Sequence, residues 1–225
     1  VWKLPGDGVL NFNTTPPTYN KVCYFWSREA SASISDNQGN LMFFTNGDSI
    51  CNPSGNNIQN GHTLGLGTPA WIESTTQGSL IVPFLKNDSL LYIFTNNRDY
   101  IKFGQSKLTY AIIDKNANGG NGAVILKQQL ISSDTLTEKM VITKHCNGNY
   151  YWLVVIKYTD SKPTYYENEL EMYGSIFYAY LVDDSGVRST PIPSKFDFAP
   201  PNFGQLKFNV SGTQLAYATD ENLYV

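Results

Sequence analysis

Residues Ser33-Ile34-Ser35-Asp36-Asn37-Gln38-Gly39-Asn40-Leu41-Met42-Phe43-Phe44-Thr45-Asn46-Gly47 read as a strand, a tight polar turn and a second strand. A tight turn of this kind needs backbone at φ > 0, which Gly and Asn tolerate, and its twist matches the strands it joins. The flanking Ile, Leu and Phe suit a pleated surface packed against a neighbouring sheet. Weaker versions of the unit return three times. The second has Leu80–Pro83, the turn Lys86–Ser89 and Leu90–Thr95. The third has the turn Cys146–Asn149 followed by Tyr150–Ile156, and the fourth has Leu206–Val210, the turn Ser211–Thr213 and Gln214–Ala218. Such recurrence makes the chain a repeat protein, in which each unit buries its apolar face only against the next.

Phe43, Ile93, Leu153 and Leu215 mark the units and lie 50, 60 and 62 residues apart. That exceeds the period of about 40–50 residues typical of propeller blades, so insertions between strands are expected. After three of the turns comes a further aromatic or β-branched run, Leu108–Ile113, Ser175–Val182 and Asn222–Val225, each the next strand of its unit. No window carries apolar residues at i, i+3, i+4 and i+7 over three turns without a Gly or Pro break. Glu167–Tyr173 has room for a helical turn or two inside a polar insertion. The expectation is all-β: a β-propeller with WD-repeat or TolB-like blades, about four of them, at 22–66, 70–128, 138–190 and from 203 to 225, in a single region over residues 1–225. The fourth unit stops at Asn222-Leu223-Tyr224-Val225. Closed propellers usually carry about 4–8 blades and natural sheets avoid bare edges, so the expected state is an incomplete part of a larger propeller.

Composition agrees with many short strands. The 225 residues include 18 Gly, 11 Pro, 15 Tyr and 12 Phe, and 16% are charged, the profile of Gly/Pro/Asn turns between β runs. A net charge of −3 argues against a nucleic-acid partner, whose binding surface is normally basic. No apolar run reaches the roughly 18 residues of a membrane helix, so a spanning segment is not expected. The chain opens at Val1-Trp2-Lys3 without Met or a signal peptide, which reads as a mature or trimmed N-terminus.

The block Ser35–Gly47 resembles a segment found in a family of large secreted Bacteroidetes proteins. Members carry an N-terminal propeller-like region and a C-terminal sorting domain for the type IX secretion system, and are described as gliding-motility-associated or type B sorted proteins. Further blocks match in order: Ser74–Pro83, Leu91–Thr95, Asp114 with Asn118–Gly122, Glu138-Lys139-Met140 with Lys144–Gly148, Tyr151-Trp152, Phe177–Leu181 with Ser185-Gly186-Val187, and Leu206-Lys207-Phe208 with Ser211–Ala216. The similarity spans about residues 30–225. It departs at Arg28-Glu29-Ala30-Ser31, where the family tends to have Glu-Gly-Cys-Ala. The resemblance implies export to a secreted or cell-surface, outer-membrane-associated fate in a Gram-negative bacterium. It implies the type IX machinery as a partner, through a C-terminal domain outside this chain. It carries over no catalytic residue.

Several residues invite chemistry. Asp114, Asn116 and Asn118, with Gly119, match the start of a Ca²⁺-binding loop, in which alternating oxygens wrap a hard cation. Position twelve is Ile125 rather than Glu and the flanks read as strands, so a connection between strands is the competing reading. Asp36 sits in a turn similar to the Asp-box of sialidases, where the Asp accepts backbone N–H groups, and it is assigned to turn stability with Gly39, Gly148 and Gly212. His145 beside Cys146 suggests a nucleophile or a metal ligand, but adjacent strand residues face opposite sides. With His62 alone in a Gly-rich loop and no C-x-x-C, a zinc site is not expected. Cys23 and Cys51 flank the first unit and pair if their strands are neighbours; three buried thiols, with Cys146, are the alternative.

Hydrolase signatures are missing. There is no G-x-S-x-G elbow, and Arg28, Arg98 and Arg188 are scattered rather than grouped to clamp a carboxylate. Asp183-Asp184 and Asp220-Glu221 read as solvated acids in turns. Tyr19, Tyr24, Phe25, Trp26, Trp71, Tyr165, Tyr166 and Tyr173 lie near loops and are candidate anchors for a protein or glycan. The expected function is therefore a surface binding or adhesion module, linked through the resemblance to gliding motility or attachment, and not an enzyme. The alternatives are a sialidase-like, glycan-processing hydrolase whose active-site residues lie outside these residues, and a structural spacer or cargo domain.

Overall fold

Alternation along Leu91-Tyr92-Ile93-Phe94 sets the packing. Leu91 and Ile93 point into one core, Tyr92 and Phe94 into another, as the two-residue period of a strand dictates. None of the four exceeds 2% exposure, so their strand is covered on both faces. The computed structural model describes residues 2–3, 6–27, 29–66, 75–99, 105–159, 164–166, 169–171, 175–196, 204–218 and 223–225.

The described residues form antiparallel sheets in chain order. β1 (Trp2–Lys3), β2 (Gly6–Asn11) and β3 (Thr18–Phe25) make the first, and β4 (Ala32–Ser35), β5 (Leu41–Thr45) and β6 (Ile50–Cys51) the second. The third is a four-stranded meander of β7 (Ser79–Pro83), β8 (Leu90–Asp99), β9 (Gln105–Asp114) and β10 (Ala123–Ser132). The fourth begins with β11 (Leu136–Lys144) and β12 (Tyr151–Tyr158). The hairpin β13 (Thr164–Tyr166) and β14 (Glu169–Glu171) is inserted, and β15 (Ser175–Asp183) then pairs with β12, β16 (Gly186–Val187) and β17 (Ile192–Phe196). β18 (Gln205–Phe208), β19 (Leu215–Ala218) and β20 (Leu223–Tyr224) complete the series. The chain is all-β, and no sheet closes on itself among the described residues. The same residues hold no helix long and apolar enough to cross a membrane.

Successive sheets pack face to face. Leu91 and Ile93 meet Phe43, Ile50 and Ile58 of the second-sheet unit. Tyr92 and Phe94 meet Met140, Leu153, Val155 and Tyr180 of the fourth sheet, and Phe84 stacks on Tyr92 with centroids 4.2 Å apart. Ile156, on the other face of the fourth sheet, meets Leu206 and Tyr217. Each such side chain contributes about 1.5–3 kcal/mol through removal from water. The opening strands of these four sheets also succeed one another: β4 lies beside β7, β7 beside β11, and β11 beside β18.

Two elements differ from the sequence reading. Residues 169–171 of the expected helical turn Glu167–Tyr173 form β14, paired to β13; β-branched and aromatic residues in Thr164–Tyr166 offer a strand partner that outcompetes a lone helical turn. Val22–Phe25, expected to open the first unit at residue 22, is instead the end of β3, so a further sheet precedes that unit. In this sheet the β2–β3 connection meets the Asp36 turn, with Asn13 Nδ2 donating to Gln38 O at 3.4 Å.

Candidate functional site

The sheets have two chemically distinct ends. At one end tight turns join β4 to β5, β7 to β8, β11 to β12 and β18 to β19. Asp36 Oδ1 accepts the N–H groups of Gln38 (2.9 Å) and Asn40 (2.8 Å), and Oδ2 accepts Asn40 Nδ2 (2.9 Å). These bonds, the Asn40 side chain first, hold the carboxyl below its ordinary range. Gly39, at φ 82°, closes the turn with its N–H on Asp36 O at 3.0 Å. Asn209 repeats the arrangement toward Thr213 (2.9 Å) and Gln214 (3.2 Å), with Gly212 at φ 70°.

In the third unit His145 takes this position. Its Nδ1 accepts the N–H of Asn147 at 3.1 Å, and Gly148, at φ 73°, donates to His145 O. The expectation that His145 and Cys146 face opposite sides fails, because they stand in a turn and not on a strand. Cys146 Sγ lies 3.6 Å from His145 Nδ1. The imidazole also packs on Tyr150 (5.8 Å) and Trp152 (5.3 Å).

The second unit's turn has its own acceptor, Asn87 Oδ1 for the Ser89 N–H (3.1 Å), and takes a second one from its neighbour. Asp184, in the β15–β16 turn, accepts the N–H of Leu85 on Oδ1 and of Lys86 on Oδ2, both at 2.8 Å. Asp183 accepts the N–H (2.8 Å) and hydroxyl of Ser185 and Arg188 Nη2 (3.2 Å), while its carbonyl takes the Tyr92 hydroxyl (2.6 Å). Burial alone would raise the Asp183 carboxyl; the Ser185 bonds and Arg188 prevail and hold it below its ordinary value. The pair is half-buried and ties two sheets together, which corrects its reading as solvated acids. Between these turns opens a cleft of about 400 Å³ lined by Lys86, Asn149, Tyr150, Asp183, Asp184 and Ser185. It offers a cation, an amide, carboxylates and an aromatic ring within one concavity.

At the opposite end the turn Thr75-Thr76-Gln77-Gly78 forms a polar hub. Glu138 Oε2 accepts the Thr76 N–H (3.0 Å), Asn96 N–H reaches Gly78 O (2.9 Å), and Ser79 Oγ donates to Ala30 O (2.9 Å). Gln77 bonds both backbone groups of Leu206. A Cβ on Gly78 would lie 2.6 Å from Ala30 Cβ, so only glycine permits this approach. Glu138 and Lys139 alternate along β11: the first turns to the hub, and the second places Nζ 4.9 Å from the Tyr217 ring centroid. Lys139 is fully buried, and burial pushes its ammonium down to about 7 against the opposing pull of Glu138. The hub bonds sheets to one another and was not identified from sequence, where Ser74–Pro83 and Glu138-Lys139-Met140 stood out only as blocks of resemblance.

The remaining candidates lie apart. Asp114 Oδ1 accepts the Asn116 N–H (2.9 Å), Asn116 Nδ2 donates to Ser89 Oγ (2.8 Å), and Asn118 opens a 3-10 turn at Asn118–Gly120. The three form the β9–β10 connection. Among the described residues no group of three or more His, Cys, Asp or Glu is placed to hold a metal. Cys51 is buried and its Sγ donates to Asn57 Oδ1 (3.2 Å); the Cys23 side chain, the other half of the pairing considered above, lies outside the described residues. Cys146 is exposed, which corrects the alternative of three buried thiols. His62 lends its carbonyl to Lys127 Nζ on β10 (2.9 Å). Tyr19 and Trp26 are exposed. Trp71, Tyr173, Arg28, Asp220 and Glu221 lie outside the described residues, as do the side chains of Tyr24, Phe25, Arg98, Tyr165 and Tyr166. No family model, no curated protein and no solved structure matches the chain.

Proposed function

We propose that the sheets are blades of an incomplete β-propeller in a secreted or cell-surface protein, and that the region is a binding or adhesion module delivered by type IX machinery through a domain elsewhere. The observation that supports this best is the succession β4, β7, β11, β18 combined with face-to-face packing of their sheets. Propeller blades radiate from adjacent first strands and present connections at both ends to partners. The cleft beside Asp183 and Asp184 is the concave, mixed polar and aromatic feature of one such end.

The test is to apply labelled full chain to glycan arrays and intact bacterial cells, with mass spectrometry for released products. Retention without turnover is expected. Turnover of a glycan transfers the support to a glycan-processing hydrolase, and failure to bind either surface overturns the module in favour of a spacer.

A further inference from the structure

We propose that the cleft between the β7–β8 and β15–β16 turns is a subsite for a neutral saccharide. The proposal rests on the reading of this region as a binding module and names its ligand class.

The charges come first. The acids of the cleft, Asp183 and Asp184, are matched by Lys86 on its wall and by Arg188, bonded to Asp183 at 3.2 Å. Two acids against two bases leave no net charge to draw in an ion, and the fixed carboxylates oppose an anion. The balance favours a neutral, polyhydroxylated ligand that needs acceptors and donors side by side.

The acceptors are already in place. Asp184 is held through both oxygens by the N–H groups of Leu85 and Lys86, and Asp183 by Ser185 and Arg188. A carboxylate oxygen has two lone-pair sites, so each Asp184 oxygen keeps one for a ligand hydroxyl. Hydrogen bonds to ionised acceptors are the stronger class, and rigid acceptors need no ordering when the ligand arrives. Lys86 supplies donors to ligand oxygens, and the Asn149 carboxamide supplies both a donor and an acceptor.

The third component is apolar. Tyr150 lines the cleft, His145 packs on Tyr150, and Trp152 packs on His145. Flat rings beside fixed polar groups complement a pyranose, which has C–H faces and hydroxyl edges. The volume of about 400 Å³ is in the range of about 300–1,000 Å³ of small-ligand sites.

The test titrates full-length chain with maltotetraose, cellotetraose and chitotetraose, with trigalacturonic acid and inorganic phosphate as anionic comparisons, and follows backbone amide resonances. At least one neutral tetrasaccharide is expected to shift Lys86, Asn149 and Ser185 saturably. Asn149→Ala and Tyr150→Ala should each weaken that binding about tenfold, as loss of one good contact does. Unchanged thermal midpoints in these variants separate lost contacts from lost folding. Preference for an anionic probe, no cleft shift with any neutral sugar, or shifts that survive both substitutions overturns the subsite. Cell or array binding retained by Tyr150→Ala would sink the subsite and leave the module standing. Cleft binding by a chain that ignores cells and arrays would do the reverse.

Discussion

Gln77 grips the backbone of Leu206 with its whole carboxamide: Nε2 donates to Leu206 O at 3.0 Å and Oε1 accepts Leu206 N–H at 2.7 Å. The partners are 129 residues apart and Leu206 is 1% exposed, so no water stands ready to replace the side chain. Gln77→Leu should cost about 1–3 kcal/mol by leaving both backbone groups unpaired. Denaturant midpoints measure the loss, and amide exchange should accelerate first at Leu206 and in β18–β19. Unaltered exchange there would show that the clamp does not hold the last sheet.

Lys139 makes stability depend on pH in a defined direction. Its folded value of about 7 lies below the ordinary lysine value of about 10.4. Between the two the unfolded chain binds a proton that the folded chain lacks, so stability rises with pH from about 7 upward, by at most about 1.4 kcal/mol per unit. Below pH 7 the penalty of the buried ammonium is fully present. Lys139→Met keeps a long side chain over Tyr217 and removes the charge, so its unfolding free energy should lose that rise between pH 7 and 9 and exceed the native value at pH 6. Parallel curves for the two proteins would refute the assignment.

Two glycines should respond differently to alanine. At Gly148 (φ 73°) nothing lies within 4 Å of an added Cβ, so Gly148→Ala carries only the left-handed backbone penalty of about 1–2 kcal/mol. At Gly78 the added Cβ would meet Ala30 Cβ at 2.6 Å and Thr75 Cβ at 2.9 Å. Relief requires movement of the segment before β4 that carries Ala30 and of Thr75 in the same turn, both buried in a close-packed interior, so the loss should exceed that at Gly148. Thermal melts of the two variants decide it, and equal losses would mean that the hub yields freely.

These residues also mark what was legible in the sequence. The Asp36 turn and the strands around it are local: turn chemistry and a two-residue period fall within fifteen residues, and the same local logic finds β8, β9, β12 and β15. The first sheet escaped because Gly6-Asp7-Gly8 and Pro16-Pro17 interrupt alternation. Glu138 and Lys139 escaped because a charged pair predicts solvent, and burial of both is rare without partners supplied by the fold. Gln77 and Asp184 meet partners 129 and 98–99 residues distant, beyond any local period. The cleft inherits that limit, since it exists only where the second and third units touch.

Asp184 tests whether a turn capped from a neighbouring sheet is a cooperative joint. Its two oxygens hold Leu85 and Lys86, 99 and 98 residues away, while Tyr151 Oη donates to Pro83 O (3.0 Å) at the same seam. Asp184→Ala removes charge-assisted acceptors from two N–H groups, each worth about 1.5–3 kcal/mol when paired, less whatever solvent recovers at the exposed Lys86. Asp184→Asn keeps one good acceptor and should fall between Ala and the native residue. The ordering Asp, Asn, Ala should appear in both the unfolding midpoint and the exchange protection of the Leu85 and Lys86 amides. If Asp184→Ala lowers the midpoint while those two amides keep their protection, the destabilisation arises elsewhere and the cross-sheet cap is not its cause.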